Sequence, residues 1–213
     1  MKARNVILFI LFLVLCDQIL KIYIKTNYYY GEEHKMLGMD WFRFLFIENK
    51  GFAWGLTLGS EKWAQIALST LRLFAVIALS YYLKYIIQKA YHSGFIISIA
   101  LIYAGALGNL LNGMFYGLIF EQSDPMMLNK ARLVTPGEGY AGFLQGNVVD
   151  MLYFPIVKGA RFPDWLPMVG GDEFEFFSPV FNLADVWVFM GVVILLIFQK
   201  RFFKDNGSIK PVL

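Results

Sequence analysis

The chain has 213 residues, of which 58% are hydrophobic, 18% aromatic and only 16% charged, with a formal net charge of +3 at pH 7. Soluble domains carry about 25% charged residues, so this composition indicates a membrane protein. The high hydrophobicity argues against disorder, and the absence of clustered Lys and Arg argues against nucleic-acid binding. The single cysteine, Cys16, excludes an intramolecular disulfide and a Cys-rich zinc site.

Four stretches are long and apolar enough to cross a bilayer as helices, which takes about 20 residues each. They are residues 5–24, 63–87, 94–119 and 180–198. The first also has features of a secretory signal peptide, because Lys2 and Arg4 precede an apolar run that ends near Cys16. Leu15 is not the small residue expected before a cleavage point, and the apolar pattern continues past Asp17. We therefore predict a retained helix and a single integral membrane domain, all-α in class.

The distribution of Lys and Arg predicts the orientation, because basic residues near helix ends tend to stay in the cytoplasm. Eight of them lie in the N-terminus, the connection between the second and third spans, and the C-terminal tail. Nine are spread over the two longer segments, 25–62 and 120–179. We therefore predict that both termini are cytoplasmic and that both long segments lie on the outer side of the membrane.

The two outer segments differ in pattern. Residues 41–47 are rich in aromatic and β-branched side chains and precede the turn-like Glu48–Gly51, which favours a short strand and hairpin. The segment 120–179 is rich in Gly and Pro, so we predict loops with short helical pieces there.

Polar residues within the spans are few, and each is costly in the hydrocarbon. Asp17 and Lys21 are four residues apart near the outer end of the first span, where helical side chains meet, so they form an ion pair that is either purely structural or also orients a site. Arg72 in the second span is predicted to be structural, either buried against a partner or backbone carbonyls or displaced toward an edge, and no functional role is assigned to it. In the third span, small and amide residues form one stripe: Gly105, Gly108, Asn109, Asn112, Gly113 and Gly117. The glycines favour close helix packing, while Asn109 and Asn112 either hydrogen-bond across the helix contact or support a site.

The fourth span contains an acid near its outer end. Ser178 and Pro179 are typical helix start signals, which puts Asp185 about two turns inside the helix with Asn182 on the same face. Because the helix dipole fades within the first turn, capping explains Asp185 poorly, and we interpret it as a functional acid.

A second acid, Asp150, is embedded in an apolar stretch of the second outer segment and is either a surface acid or the partner of Asp185.

A serine triad or a Cys–His pair is hard to build, because His34 and His92 are predicted on opposite sides of the membrane. Neither a metal cluster nor a phosphate loop is indicated, so no cofactor is expected. Two adjacent aspartates share one proton and activate water against an amide, as in aspartic peptidases. The alternative is a non-catalytic transporter or assembly subunit, although its acids would usually lie near the bilayer midplane.

Five segments, in chain order, resemble those of the bacterial lipoprotein signal peptidase family, also called signal peptidase II. They are Asp17-Gln18-Ile19-Leu20-Lys21, Asn49-Lys50-Gly51-Phe52-Ala53, Gly105-Ala106-Leu107-Gly108-Asn109, Val148-Val149-Asp150 and Phe181-Asn182-Leu183-Ala184-Asp185. Each is weak alone, but five in this order on a four-span frame are specific.

The resemblance implies a four-helix membrane bundle with a small outer β-sheet cradle and short amphipathic helical pieces. It implies that Asp150 and Asp185 are the catalytic aspartates and that the enzyme cuts prolipoproteins before a cysteine carrying diacylglycerol. It also implies that membrane lipid is a partner and that globomycin-type peptides inhibit the enzyme. The residues implied to bind substrate or support the site are Asp17, Lys21, Asn49, Gly108, Asn109, Asn112 and Asn182.

The chain departs from the family pattern at two places. Where the family commonly has an acid followed by arginine, this chain has Asn112-Gly113, so that ion pairing is replaced or absent. Residues Glu121–Gly142 look like an insertion before Asp150. Loop length costs little entropy once the ends are anchored, so the site can survive the insertion.

Overall fold

Four long helices dominate the computed structural model, which describes residues 1–49, 61–126, 129–155, 157–161, 171, 173–176, 179–205 and 208–209. Each helix is long and apolar enough to span a membrane, so the four predicted spans are confirmed. Their bounds are α1 (Ala3–Asn27), α2 (Glu61–Gln88), α3 (Ser93–Ile119) and α4 (Leu183–Phe202). α3 includes a π-helical turn at Asn112–Tyr116.

α3 is the central helix of the bundle and packs against α1, α2 and α4. Its small residues explain the closeness of the α4 contact, because a Cβ added at Gly105 would meet the carbonyl oxygen of Ala184 and the side chain of Val188. Few side chains of α2 and α4 are fully buried, as expected of helices whose outer faces contact lipid. The packing role predicted for the small-residue stripe is therefore confirmed at Gly105.

Eight strands are described: β1 (Glu33–Lys35), β2 (Arg43–Asn49), β3 (Val148–Tyr153), β4 (Val157–Arg161), β5 (Glu173–Phe176), β6 (Val180–Phe181), β7 (Lys204–Asp205) and β8 (Ser208–Ile209). Four of them form an antiparallel sheet in the order β1-β2-β3-β6, while β4-β5 and β7-β8 are separate pairs. The four-stranded sheet unites both long segments at one end of the bundle.

The outer segments confirm one prediction and correct another. The strand predicted at 41–47 is present as β2. The turn predicted at Glu48–Gly51 was wrong for Glu48 and Asn49, which continue the strand by pairing with β3, and residues 50–51 lie outside the described residues. Loops with short helical pieces were expected in 120–179, but the described part of that segment beyond α3 contains the strands β3, β4 and β5 and no helix. All six residues of β3 are buried and five of them are apolar or aromatic, so the strand lacks the alternation that identifies a half-exposed strand.

The insertion Glu121–Gly142 folds back along the end of α3. The backbone N–H of Glu121 donates to the carbonyl of Arg132 at 3.0 Å, and that of Tyr140 donates to Phe120 at 3.2 Å. Near its end, the N–H of Ala141 donates to Gly117 at 2.9 Å. The two ends of the insertion are thus anchored to α3, next to the start of β3.

Candidate active site

Asp150 and Asp185 lie on either side of one asparagine, Asn182. The side-chain amide of Asn182 donates to Asp150 Oδ1 at 2.6 Å. Its side-chain oxygen accepts the backbone N–H of Asp185 at 3.1 Å, and its own backbone N–H donates to Asp185 Oδ2 at 3.1 Å. Asp150 and Asn182 are buried, with 2% and 0% of their surface exposed. Two acids 35 positions apart in the chain are therefore both hydrogen-bonded to one residue.

The start of α4 explains this geometry and corrects two expectations. Val180 and Phe181 pair with β3 as the strand β6, so the helix begins at Leu183 with Asn182 as its N-cap instead of at Ser178-Pro179. Asp185 is then the third helical residue and completes a capping box with Asn182. Our prediction that Asp185 lies two turns inside the helix and is not a capping residue was wrong, because the strand delays the helix start.

Asp17 closes the same helix end from α1. Its Oδ1 accepts the backbone N–H of Ala184 at 3.0 Å, which is one of the N–H groups that a helix start leaves unpaired. Its Oδ2 forms the predicted ion pair with Lys21 at 2.9 Å and accepts the Gln18 amide at 2.8 Å. A carboxylate at a helix N-terminus is also favoured by the helix dipole. Asp17 thereby fixes α4 relative to α1 beside the two acids.

Lys21 connects the ion pair to Asp185 through Asn109. The Lys21 ammonium donates to Asn109 Oδ1 at 2.8 Å, and the Asn109 amide donates to Asp185 Oδ1 at 2.9 Å. Because an ammonium only donates, it dictates which end of the Asn109 amide faces it. The Asn109 NH₂ group is thereby directed at Asp185.

The remaining predicted site residues lie around this group. Asn49 ends β2 opposite Val148 and hydrogen-bonds Asp150 through its side chain. Gly108 leaves room for the Asp17 carboxylate, because a Cβ at position 108 would clash with it.

The departure at Asn112-Gly113 has a partial structural explanation. Asn112 is fully buried and its Oδ1 accepts the backbone N–H of Val149, the residue before Asp150, at 3.4 Å. Its amide also donates to Gln18 at 3.4 Å. A Cβ at Gly113 would meet Ser69 of α2, so α2 approaches α3 closely here. Asn112 thus supplies hydrogen bonds where the family pattern has an acid.

The surroundings of Asp150 favour its protonated form. Burial, followed by the nearby charge of Asp185, raises the pKa of Asp150 from 3.8 to about 7, and this outweighs the lowering effect of the Asn182 hydrogen bond. A carboxyl group with a pKa near neutral pH can both hold and release a proton beside a second carboxyl group. Such a pair can activate water for attack on an amide without a cofactor.

A second polar cluster was not predicted from the sequence. Buried Lys25 pairs with Glu48, and Ser123 from the insertion hydrogen-bonds both of them. Asn147 donates to Glu48 Oε2 at 2.8 Å, and Gln65 of α2 donates to Asn147 at 2.7 Å. The sequence indicates Lys25 only as one of the basic residues of the segment 25–62. The four-residue step from Lys21 to Lys25 was the one signal that both lysines face inward.

The comparisons with known proteins agree with one another. The family described as Signal peptidase (SPase) II matches residues 9–201. The lipoprotein signal peptidase of Porphyromonas gingivalis is 40% identical over 201 residues, which cover 94% of this chain and 84% of that protein. The one from Amoebophilus asiaticus is 31% identical and covers 88% and 74%.

Solved structures support the fold. Two bacterial membrane enzymes, determined by the in meso method at 2.3 and 1.9 Å resolution, align with TM-scores of 0.56 and 0.57 at 23% identity. The first alignment covers 98% of this chain and 96% of the other. At this level of identity the likeness concerns the fold.

Four apolar helices, a small sheet and these relatives define an aspartic endopeptidase of the bacterial inner membrane. The chain belongs to the signal peptidase II family. The alternative of a non-catalytic transporter or assembly subunit is therefore set aside.

Proposed function

We propose that this protein cleaves the signal peptide from prolipoproteins immediately before a cysteine that carries diacylglycerol, with Asp150 and Asp185 as the catalytic pair. The observation that carries this proposal is the position of Asn182, which holds one acid by its side chain and the other by its backbone. The curated relatives of this chain carry the name lipoprotein signal peptidase, which supports the substrate class.

The reaction needs one protonated and one ionised aspartate. Asp185 takes a proton from water while the water oxygen bonds to the scissile carbonyl carbon, and Asp150 gives its proton to the carbonyl oxygen. The tetrahedral diol then collapses: Asp185 returns its proton to the amide nitrogen, the C–N bond breaks, and a diol hydroxyl reprotonates Asp150. The products are the carboxyl end of the signal peptide and the free amino group of the lipid-modified cysteine.

The remaining site residues act by positioning. Asn49 and Asn182 orient Asp150, while Asn109, Asp17 and Lys21 orient Asp185. Gly108 and Asn112 keep α3 close to α1 and β3. The peptide crosses the four-stranded sheet, the diacylglyceryl chains lie between helices, and globomycin-type peptides compete for the same place.

The site faces the outer side of the membrane, and both termini are cytoplasmic. The basic residues near the termini and in the α2–α3 connection support this orientation. Burial of Lys25 with Glu48 adds to the argument, since it removes one cation from those counted on the outer side.

The test is cleavage of a diacylglyceryl-modified precursor by the detergent-purified protein, followed by product size. We expect cleavage by the native chain and none by Asp150→Asn or Asp185→Asn. Asp40→Asn is the matched control, because Asp40 is an outer-segment acid with 77% of its side chain exposed. Full activity in a folded Asp150→Asn or Asp185→Asn variant would remove the dyad. Cleavage of unlipidated precursor alone would remove the substrate assignment.

A further inference from the structure

α2 carries an inward-facing stripe that includes an arginine. Residues three and four positions apart share a helix face, and the stripe follows this spacing. Arg72 lies three residues after Ser69 and four before Val76, which are 2% and 6% exposed. The members of the stripe are Gln65, Ser69, Arg72, Val76, Leu83 and Ile86. Arg72 therefore belongs to the packed face of a membrane-spanning helix, where an unbalanced charge is costly.

Two contacts between α2 and α3 show which residue of α3 lies opposite Arg72. Ser69 lies against Gly113, and Ser80 Oγ hydrogen-bonds the Tyr103 hydroxyl at 3.1 Å. These contacts show that α2 and α3 are antiparallel. The residue of α3 that lies opposite Arg72 is therefore Leu110. The neighbour of Leu110 is Asn109, which donates to Asp185.

The N-terminal end of the same stripe, at Gln65, lies next to the start of β3, the strand that contains Asp150. Gln65 donates to Asn147 at 2.7 Å, one residue before β3 and three before Asp150. The stripe of α2 thus runs from the strand of Asp150 toward the part of α3 that contains Asn109, and the charges of Asp185 and Asp150 both favour the charged form of the Arg72 guanidinium.

The charges around the site balance only when Arg72 is included. From α1, Asp17 and Lys21 neutralise each other. From β3 and α4, Asp150 and Asp185 with one shared proton carry one negative charge. α3 contributes the neutral Asn109 and Asn112, together with Tyr116, whose hydroxyl donates to Gln18. Lys25 and Glu48 are paired with each other. Among the described residues around the site, Arg72 is the cation left to balance the aspartates.

We propose that Arg72 is a positioning residue of this enzyme and that its guanidinium is the counter-charge that keeps the aspartate pair singly protonated at neutral pH. The proposal rests on the proposed function, because it requires that Asp150 and Asp185 are the catalytic pair. Without the positive charge, both aspartates hold their protons more tightly, since a buried negative charge is then unbalanced.

The experiment is the pH profile of kcat/KM for cleavage of a diacylglyceryl-modified precursor by the full chain in detergent. For Arg72→Gln we expect both limbs of the profile to move to higher pH by about one unit. Arg72→Lys retains the charge and should keep the native profile. Lys84→Gln removes a cation from the exposed side of the same helix and should also keep it.

Two results would overturn the proposal. One is a lower rate in Arg72→Gln with both limbs in the native position, which a packing role would produce. The other is an equal displacement in Arg72→Lys. If Arg72→Gln does not fold, Arg72→Met removes the same charge with an apolar side chain of similar length. Failure of the proposed function gives a different result. If Asp150 and Asp185 are not the catalytic pair, Asp150→Asn retains activity, whatever pH profile the Arg72 variants show.

Discussion

Replacing Lys21 by Met tests the connection between the ion pair and the catalytic pair. The change leaves Asp17, which is 1% exposed, without its cation. Removing one partner of a buried ion pair typically costs about 3–5 kcal/mol. Asp17 keeps two donors, the Ala184 N–H and the Gln18 amide, so we expect the lower end, about 3 kcal/mol. The assay is unfolding of the purified protein in detergent.

Activity should fall in the same variant for a different reason. Without the Lys21 ammonium, the Asn109 amide is free to turn its oxygen toward Asp185, and misplacement of a catalytic group by about 1 Å costs on the order of 100-fold in rate. The double variant Asp17→Asn/Lys21→Met removes both charges, so it should regain most of the stability while remaining slow. Native stability and rate in Lys21→Met, or a native rate in the double variant, would refute this reasoning.

Three further predictions concern stability. The pKa of Asp150 is raised from 3.8 to about 7, so its contribution to folding is fully present below pH 3.8 and is lost as the pH rises through 7. Asp150→Asn should therefore unfold at a higher temperature than the native chain above pH 7 and lose this advantage below pH 3.8; a difference that does not vary with pH would contradict it. Gly105→Ala should cost about 1–3 kcal/mol by forcing α3 from α4, whereas Gly142→Ala meets only a flexible side chain and should cost far less; equal unfolding temperatures would show that the helices can separate freely. Glu48→Gln leaves Lys25 buried without an anion and should cost about 3 kcal/mol, with faster amide hydrogen exchange in residues 120–126 and 129–147. Unchanged exchange there would mean that the cluster does not hold the insertion.

The sequence predicts the helices well because span length and hydropathy are local properties. The contact between Asp17 and Lys21 follows from helix geometry in the same way and is present in the structure. The helix start at Asn182 depends instead on a strand pair with β3, which no local signal contains. The sequence therefore predicts the wrong depth for Asp185 in the helix.

The buried strand and the second cluster required knowledge of the tertiary structure. β3 lacks alternation because both of its faces are covered, so the sequence did not distinguish it from a loop or a helical piece. Lys25 and Glu48 are 23 positions apart, and a lysine near the end of a span is ordinarily expected to reach water. Arg72 received no role because its relation to the acids depends on the packing of α2 against α3.

Infrared spectroscopy of the purified protein tests most directly whether the two carboxyl groups share a proton. We expect a protonated-carboxyl band that titrates near pH 7, is absent in Asp150→Asn, and titrates at lower pH in Asp185→Asn because a neighbouring negative charge has been removed. A spectrum without such a band, or a titration that Asp185→Asn leaves in place, would show that the two carboxyl groups do not share a proton.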